Sequence, residues 1–269
     1  MCKAGAWTQY GRPGLACTLA QLLLQLNTAD PARGGNNYSG EPTAIALCSV
    51  AIRLESRGFA GQADKVLDMA DTMFPADRSQ FSKIISSARS RVMLWRAMAR
   101  LDWTHATSAV DSLEAAEVPD AKLLRAELFF KEGRLVEARE LVQELSVPES
   151  ENVELTVRAL LLLADIQCSG GDPAGAVQQL VRAAELATSR RLDQLLHLAG
   201  LQLASCQLLL GCHSRSLSLT LSCLAPLLAH GSLTDCARAW LLAAKCKIAA
   251  SQGEYVDVYD FRVLFENST

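Results

Sequence analysis

The sequence predicts an all-α protein, an α-solenoid built from antiparallel helix pairs. The main observation is a local frame that recurs around four glycines, which are Gly58, Gly133, Gly171 and Gly211. A small residue lies seven positions before each glycine, and another lies five positions after it. The first set is Ala51, Ala126, Ala164 and Ala204, and the second set is Ala63, Ala138, Ala176 and Ser216. This spacing is typical of two helices joined at a glycine, with small side chains where the helix backbones approach most closely.

Composition and repeat length agree with this fold class. Half of the residues are hydrophobic but only 6% are aromatic, which favours a stack of Ala/Leu-rich helices over a β-sandwich. Successive turn glycines are 38 residues apart (133 to 171) and then 40 residues apart (171 to 211). The tetratricopeptide period is about 34 residues. We therefore expect a divergent tetratricopeptide-like array with lengthened helices or connections.

The chain is expected to divide into four segments. Residues 1–26 form a partial repeat, because Gly11 is followed at the same offsets by small or apolar residues. Residues 27–41 form a polar loop rich in Gly, Asn, Pro and Ser. Residues 42–250 carry the repeat array, and residues 251–269 form an irregular or truncated tail.

Within the array, apolar periodicity and turn residues predict the helices. They are expected over residues 43–56, 60–73, 80–101, 106–116, 120–131, 135–145, 153–167, 174–187, 192–210, 214–229 and 235–250. The third pair has no connecting glycine, so its register near residues 102–104 stays open. Residues 216–222 alternate polar and apolar side chains, which by period alone favours a strand. A lone strand among helices would leave its backbone groups unpaired, so we expect a helix there. Because the last helix has no evident second helix beside it, we expect an exposed apolar face near Leu241 and Leu242.

Charge and cysteine content limit the partners and the compartment. The formal net charge is -3, with 29 acidic and 26 basic residues, which argues against nucleic acid as a partner. The nine cysteines are odd in number and never form a CxxC pair, which favours thiols in a reducing intracellular compartment. No signal peptide pattern opens the chain. Residues 194–214 and 216–234 are uncharged and long enough to span a bilayer. Their polar side chains and Pro226 favour buried solenoid helices instead, so no membrane is expected.

Catalytic, cofactor-binding and metal-binding residues are not evident. Residues 169–175 contain three glycines but lack the lysine of a phosphate-binding loop. Of the four histidines, only His213 lies next to a cysteine, Cys212, and adjacent helical residues point in different directions. We therefore expect a protein that is not an enzyme and that takes no cofactor, metal or small-molecule substrate.

A basic helix offers the one candidate for partner binding. Between Asp77 and Asp102 there are six basic residues and no acidic one. Arg89, Arg96 and Arg100 are spaced by seven and four positions, so they share a helix face. One interpretation is a solvated face, and the other is a docking stripe for an acidic or phosphate-bearing partner.

Several short blocks, in their order and spacing, carry a family resemblance. They are residues 7–12, 20–24, 46–48, 96–98, 191–211 and, most similar of all, 227–246. Together they resemble the C-terminal half of the anaphase-promoting complex subunit five family, over most of residues 5–250. The resemblance implies a non-catalytic scaffold subunit of a large ubiquitin ligase that controls mitosis. It also implies other subunits of that complex as partners, location in nucleus and cytoplasm, and a chain that is a fragment or short isoform.

An alternative is a tetratricopeptide adaptor that binds short peptides or the C-terminus of a chaperone. Such clamps use lysine and asparagine on the inner face of each first helix. The corresponding positions here hold other residue types: Cys48 and Ile52, Leu123 and Glu127, Leu161 and Asp165, and Leu201 and Ser205. These residue types favour the scaffold.

Overall fold

The computed structural model describes residues 41–74, 81–146 and 152–251, and within those ranges every regular element is an α-helix. We number the helices along the chain. Their bounds are Glu41–Ser56 (α1), Ala60–Met73 (α2), Ser82–Ala99 (α3), Trp103–Ala115 (α4), Ala121–Lys131 (α5), Leu135–Leu145 (α6), Val153–Ser169 (α7), Pro173–Ser189 (α8), Asp193–Leu209 (α9), His213–His230 (α10) and Leu233–Ser251 (α11). The expected partial repeat, the polar loop up to residue 40 and the tail from residue 252 lie outside the described residues.

The described residues divide into two compact units, with the boundary between residues 132 and 133. In the first unit α1 packs against α2, α3 packs against α4, and α5 follows α4. In the second unit α7 packs against α8 and α9 against α10, with α6 on α7 and α11 on α10. Each unit therefore consists of the stacked helix pairs of a tetratricopeptide-like α-solenoid, the fold class that the sequence predicts.

The small residues of the glycine frame lie in the cores. All eight are at most 1% exposed, as expected for close helix packing. Larger side chains fill the space around them. In the first unit Leu54, Leu67 and Ile85 pack between α1, α2 and α3. In the second unit Leu160 and Leu180 pack between α7, α8 and α9.

The third helix pair shows how a turn forms without glycine. Leu101 has a φ of 59°, in the left-handed region that Gly58, Gly133, Gly171 and Gly211 also adopt. The N–H of Asp102 donates to the carbonyl of Ala97 at 2.9 Å, which closes the end of α3 as in a Schellman motif. Helix α4 consequently begins at Trp103, three residues before the expected start at residue 106.

The same closure recurs at glycine turns. Gly171 has a φ of 84°, and the N–H of Asp172 donates to the carbonyl of Gln167 at 2.9 Å. Glu117 and Arg191 are two further non-glycine residues with positive φ, at 57° and 55°. The turn geometry is therefore common to both units, whereas glycine is not required at every turn.

The alternating stretch 216–222 lies inside α10, so the expectation of a helix is confirmed. Its polar residues are compatible with burial because the backbone satisfies them. Ser216 Oγ donates to the carbonyl of Ala204 at 2.6 Å, and Thr220 Oγ1 donates to the carbonyl of Ser216 at 2.8 Å. No helix in the described part of the chain has both the length and the apolarity needed to cross a membrane.

Candidate partner-binding surface

Arg89 lies between two carboxylates of the preceding helix. Its Nε is 2.9 Å from Asp71 Oδ2, and its Nη2 is 2.8 Å from Asp68 Oδ1. Hydrogen bonds with these two aspartates raise the pKa of Arg89 even though burial lowers it. Arg89 thus links α3 to α2 within the first unit.

Arg96 makes the denser set of contacts. Its Nε and Nη2 lie 3.0 Å and 2.6 Å from the two carboxylate oxygens of Glu55. Its Nη1 lies 3.0 Å from Asp64 Oδ1, and its Nη2 also donates to the carbonyl of Ala60. The Glu55 hydrogen bond is the main cause that raises the pKa of Arg96. Because the fork is bidentate, it fixes the orientation of α3 against α1 and α2.

Arg100 stands apart from the other two arginines. It follows the last residue of α3 and is exposed. Two arginines of the expected stripe, Arg89 and Arg96, therefore bind acids of their own unit, whereas Arg100 faces solvent at the helix end. A role for these three side chains in partner binding stays a prediction.

Another arginine of the first unit, Arg125, repeats the pattern of Arg89. Arg125 Nε is 2.6 Å from Glu114 Oε1, and its Nη2 is 2.6 Å from Asp111 Oδ1. The two acids of α4 lie ten and thirteen residues after the turn residue Leu101, as Asp68 and Asp71 of α2 do after Gly58. Arg125 was not among the predicted site residues, although the recurrence of acids at the same two offsets is readable from the sequence.

The second unit uses the same two offsets differently. After Gly133 they hold Gln143 and Ser146, after Gly171 Val181 and Ala184, and after Gly211 Leu221 and Leu224. Leu224 is buried in a core that joins α9, α10 and α11. The first unit therefore places ion-paired acids where the second unit places uncharged side chains.

In the second unit, a row of polar side chains connects α7, α9 and α11. Gln202 Nε2 on α9 donates to Asp165 Oδ2 on α7 at 3.0 Å. Arg238 Nη2 on α11 approaches Asp165 Oδ1 at 3.3 Å. Asp165 therefore receives donors from two later helices, and the row joins α7, α9 and α11.

Helix α11 presents an apolar row to solvent. Leu233, Leu241 and Ile248 are 60%, 56% and 63% exposed. Leu242, which we expected to be exposed with Leu241, is instead only 7% exposed and packs in the core with Leu201 and Leu227. The expected exposed face therefore exists and includes Leu241, but Leu242 is not part of it.

Half of the positions that a peptide clamp would use are buried. Cys48, Leu123, Leu161 and Leu201 are all buried. Their side chains pack in the cores. This placement removes half of the side chains that the peptide-adaptor alternative requires.

The cysteines of the described residues are free thiols. Burial raises the pKa of Cys48 to about 11 and that of Cys206 to about 12. Among the residues that the structure describes, no three His, Cys, Asp or Glu side chains come together as metal ligands.

Comparison with known proteins gives a family. The family model described as Suppressor of spindle checkpoint defect 1 C-terminal domain matches residues 125–267. Anaphase-promoting complex subunit 5 of Homo sapiens is 30% identical over 252 residues, which cover 93% of this chain and 33% of that protein. The same subunit of Gallus gallus is 27% identical over 252 residues, with the same coverage. The chain thus spans about a third of the length of the curated relatives it matches.

One solved structure also resembles the chain. It is described as the functional characterization of Pseudomonas aeruginosa pilF, and it is 14% identical with a TM-score of 0.47. The match covers 84% of this chain and 99% of that one, but a TM-score of this size is too low to assign the fold, which rests on the helix pairs themselves. The family model, by contrast, covers more than half of the residues, and the chain therefore belongs to the Suppressor of spindle checkpoint defect 1 C-terminal domain family as a relative of anaphase-promoting complex subunit 5.

Proposed function

We propose that this chain is a non-catalytic scaffold subunit of the anaphase-promoting complex, the ubiquitin ligase that controls progression through mitosis. The observation that carries the proposal is the 30% identity to anaphase-promoting complex subunit 5 over 93% of the chain. Its partners in this proposal are other subunits of the complex, and neither nucleic acid, membrane nor a small molecule takes part. The proposed location is the nucleus and cytoplasm.

The described structure supports a binding role through its rigid helices. Interhelical ion pairs such as Arg96–Glu55 and Arg125–Glu114 fix the helices of the first unit relative to one another. A surface that is ordered before binding loses little conformational entropy when a partner docks. Such a scaffold acts by holding its partners at set positions.

Two exposed features are available for docking. The row of Leu233, Leu241 and Ile248 on α11 leaves large apolar side chains in solvent, and rows of this kind typically mark protein–protein contacts. Arg100 adds an exposed positive charge at the end of α3. We assign both features to contacts with other subunits of the complex.

Affinity purification of the tagged full chain from mitotic cells tests the proposal. Quantitative mass spectrometry should recover the other subunits of the anaphase-promoting complex in fixed ratio to the chain. Leu241→Glu should lower this recovery at least about fivefold, because it places a charge inside an apolar contact. Val181→Glu is the matched control, since Val181 is also an exposed apolar residue of the second unit. Recovery of none of these subunits by the unaltered chain would refute the proposal.

The arginines are tested in the same assay. Arg100→Glu should weaken recovery if the basic helix docks an acidic partner, and Lys83→Glu, an exposed residue near the other end of α3, is the control. Equal recovery with both variants would leave the end of α3 outside the interface and remove Arg100 from the proposal.

The non-catalytic part of the proposal has its own test. A ubiquitin ligase that transfers through its own cysteine forms a thioester with ubiquitin. We expect no thiol-sensitive ubiquitin adduct of the chain when it is incubated with a ubiquitin-charged conjugating enzyme. An adduct that disappears on substitution of a single cysteine would assign catalysis to this chain.

A further inference from the structure

Two thiols of the second unit are in direct contact. Cys168 lies in the last turn of α7 and Cys206 lies in α9, and their Sγ atoms are 3.2 Å apart. The two residues are 38 positions apart in the sequence. The contact is therefore made by the packing of α7 and α9.

The two cysteines differ in their exposure to solvent. Cys206 is 1% exposed and lies in the core cluster with Leu160 and Ala199. Cys168 is half-buried, at the edge of the same cluster. A small reagent therefore reaches Cys168 before Cys206, and the two sulfurs are in contact.

We propose that Cys168 and Cys206 form a dithiol modification site, which a hydroperoxide such as hydrogen peroxide converts to a disulfide between α7 and α9. The reaction needs little movement, because a disulfide brings two sulfurs to about 2.05 Å and these start in contact. Helices α7 and α9 already pack on each other, so the new bond joins elements that are neighbours in the reduced fold.

The reaction has two balanced steps. The sulfur of Cys168, as thiolate, attacks one oxygen of the peroxide and breaks the O–O bond, which yields a sulfenic acid and one water once the thiol proton is included. The sulfur of Cys206 then attacks the sulfenic sulfur, so that the S–S bond forms, the S–O bond breaks and the second water leaves. Two thiols lose two electrons in total, and the peroxide gains them.

The surroundings set the order of these steps. Burial raises the pKa of both thiols, but the hydrogen bond from Cys206 favours the thiolate of Cys168 and opposes that increase. Asp165 and Asp172 add negative charge near Cys168 and oppose the thiolate. The reaction at this site is therefore slow, and its selectivity comes from the contact between the sulfurs and not from an activated thiol.

The bond would fix the polar row of the second unit. Gln202 lies one turn before Cys206 on α9, and Asp165 lies one turn before Cys168 on α7. These two side chains are hydrogen-bonded to each other and carry the polar row that reaches Arg238. A disulfide beside them prevents α7 and α9 from sliding past each other, and it holds this row in one geometry.

The test is oxidation of the folded full chain with hydrogen peroxide, followed by intact mass measurement and tryptic mapping. The expected product is about 2 Da lighter, and peptide 159–182 is linked to peptide 192–215. Peptide 192–215 also contains Cys212, an exposed thiol, so Cys212→Ser is the matched control and should keep the link. Cys168→Ser and Cys206→Ala should each abolish it, with circular dichroism to confirm that both variants fold.

The position of the link and the change in thermal midpoint together test the proposed site. A dominant link between 168 and 206 that dithiothreitol reverses, together with a higher thermal midpoint of the oxidised chain, supports the site, because a cross-link across about 38 residues restricts the unfolded chain. Links that mainly join other cysteines, sulfinic acid at Cys168 without a link, or a lower thermal midpoint after linking would overturn it.

Discussion

Gly200 of α9 and Cys223 of α10 lie so close that a Cβ atom at position 200 would sit 2.6 Å from the Cys223 sulfur. Cys223 is buried in the core shared by α9, α10 and α11. The distance is well below an ordinary van der Waals contact, so the two helices depend on the missing side chain to approach each other.

We expect Gly200→Ala to destabilise the second unit by about 1–3 kcal/mol, because the added methyl overpacks this crossing. The free energy of unfolding is measured by urea denaturation. Gly61→Ala is the control, since a Cβ there meets nothing within 4 Å and alanine is the better helix former. It should stabilise slightly, so the same substitution should have opposite signs at the two sites. Equal effects would contradict the close crossing.

Leu101→Gly should stabilise the first unit by about 1 kcal/mol. Leu101 has a φ of 59° and is 68% exposed, so glycine relieves the left-handed backbone and gives up little apolar burial. The reverse change, Gly171→Ala, should destabilise the chain by about as much, because the φ of Gly171 is 84°. A Cβ at this position meets nothing within 4 Å, so the cost comes from the backbone conformation alone. Thermal melts of both variants test this pair, and a destabilised Leu101→Gly would show that the leucine side chain contributes more than its exposure indicates.

Arg96→Ala should cost about 1–3 kcal/mol of stability, because it leaves the carboxylate of Glu55, whose side chain is 11% exposed, without its bidentate partner. Arg89→Ala should cost less than about 1 kcal/mol, since Asp68 and Asp71 are 70% and 50% exposed. Adding Glu55→Gln to Arg96→Ala should recover part of the loss. Strictly additive losses in this double-mutant cycle would mean that the pair does not interact energetically.

The cap of α4 should weaken in acid. The carboxylate of Asp102 accepts a hydrogen bond from the backbone N–H of His105 at 3.2 Å, and this bond is the main cause that lowers the pKa of Asp102 in the folded state. The cap therefore contributes fully above the ordinary aspartate pKa, and its contribution disappears as the pH falls through the lowered one. We expect an NMR titration of the Asp102 carboxyl to give a midpoint below that of aspartate in the unfolded chain. A midpoint at or above the unfolded value would exclude the cap.

The turns and the helix bounds were largely predictable, because glycine marks the turns with positive φ and small residues mark the close contacts between helices. Helices α2 and α6 have the expected bounds, 60–73 and 135–145. The turn at Leu101 was not predictable in register, since a leucine gives no sign of positive φ. The backbone hydrogen bonds that close the end of α3 accompany that conformation, which has a local cost.

The candidate site was less predictable for a different reason. Spacing places Arg89 and Arg96 on one face, but the acids that bind them come from other helices, 18 to 41 residues away. Helix periodicity does not contain such pairings. Leu241 and Leu242 show the same limit, because adjacent apolar residues look alike in sequence and only packing decides which of them is buried.

The arginine forks of the first unit have a consequence for the evolution of such a chain by repeat duplication. Helices α2 and α4 carry carboxylates at matching offsets, and α3 and α5 each supply the arginine that binds them. A duplicated helix pair inserted in this region would therefore form the same ion pairs with the helices on either side. A pair transplanted from the second unit would bring uncharged residues to those offsets and would leave an arginine without its acids. The first unit thus carries a charge-based rule for which repeat can follow which.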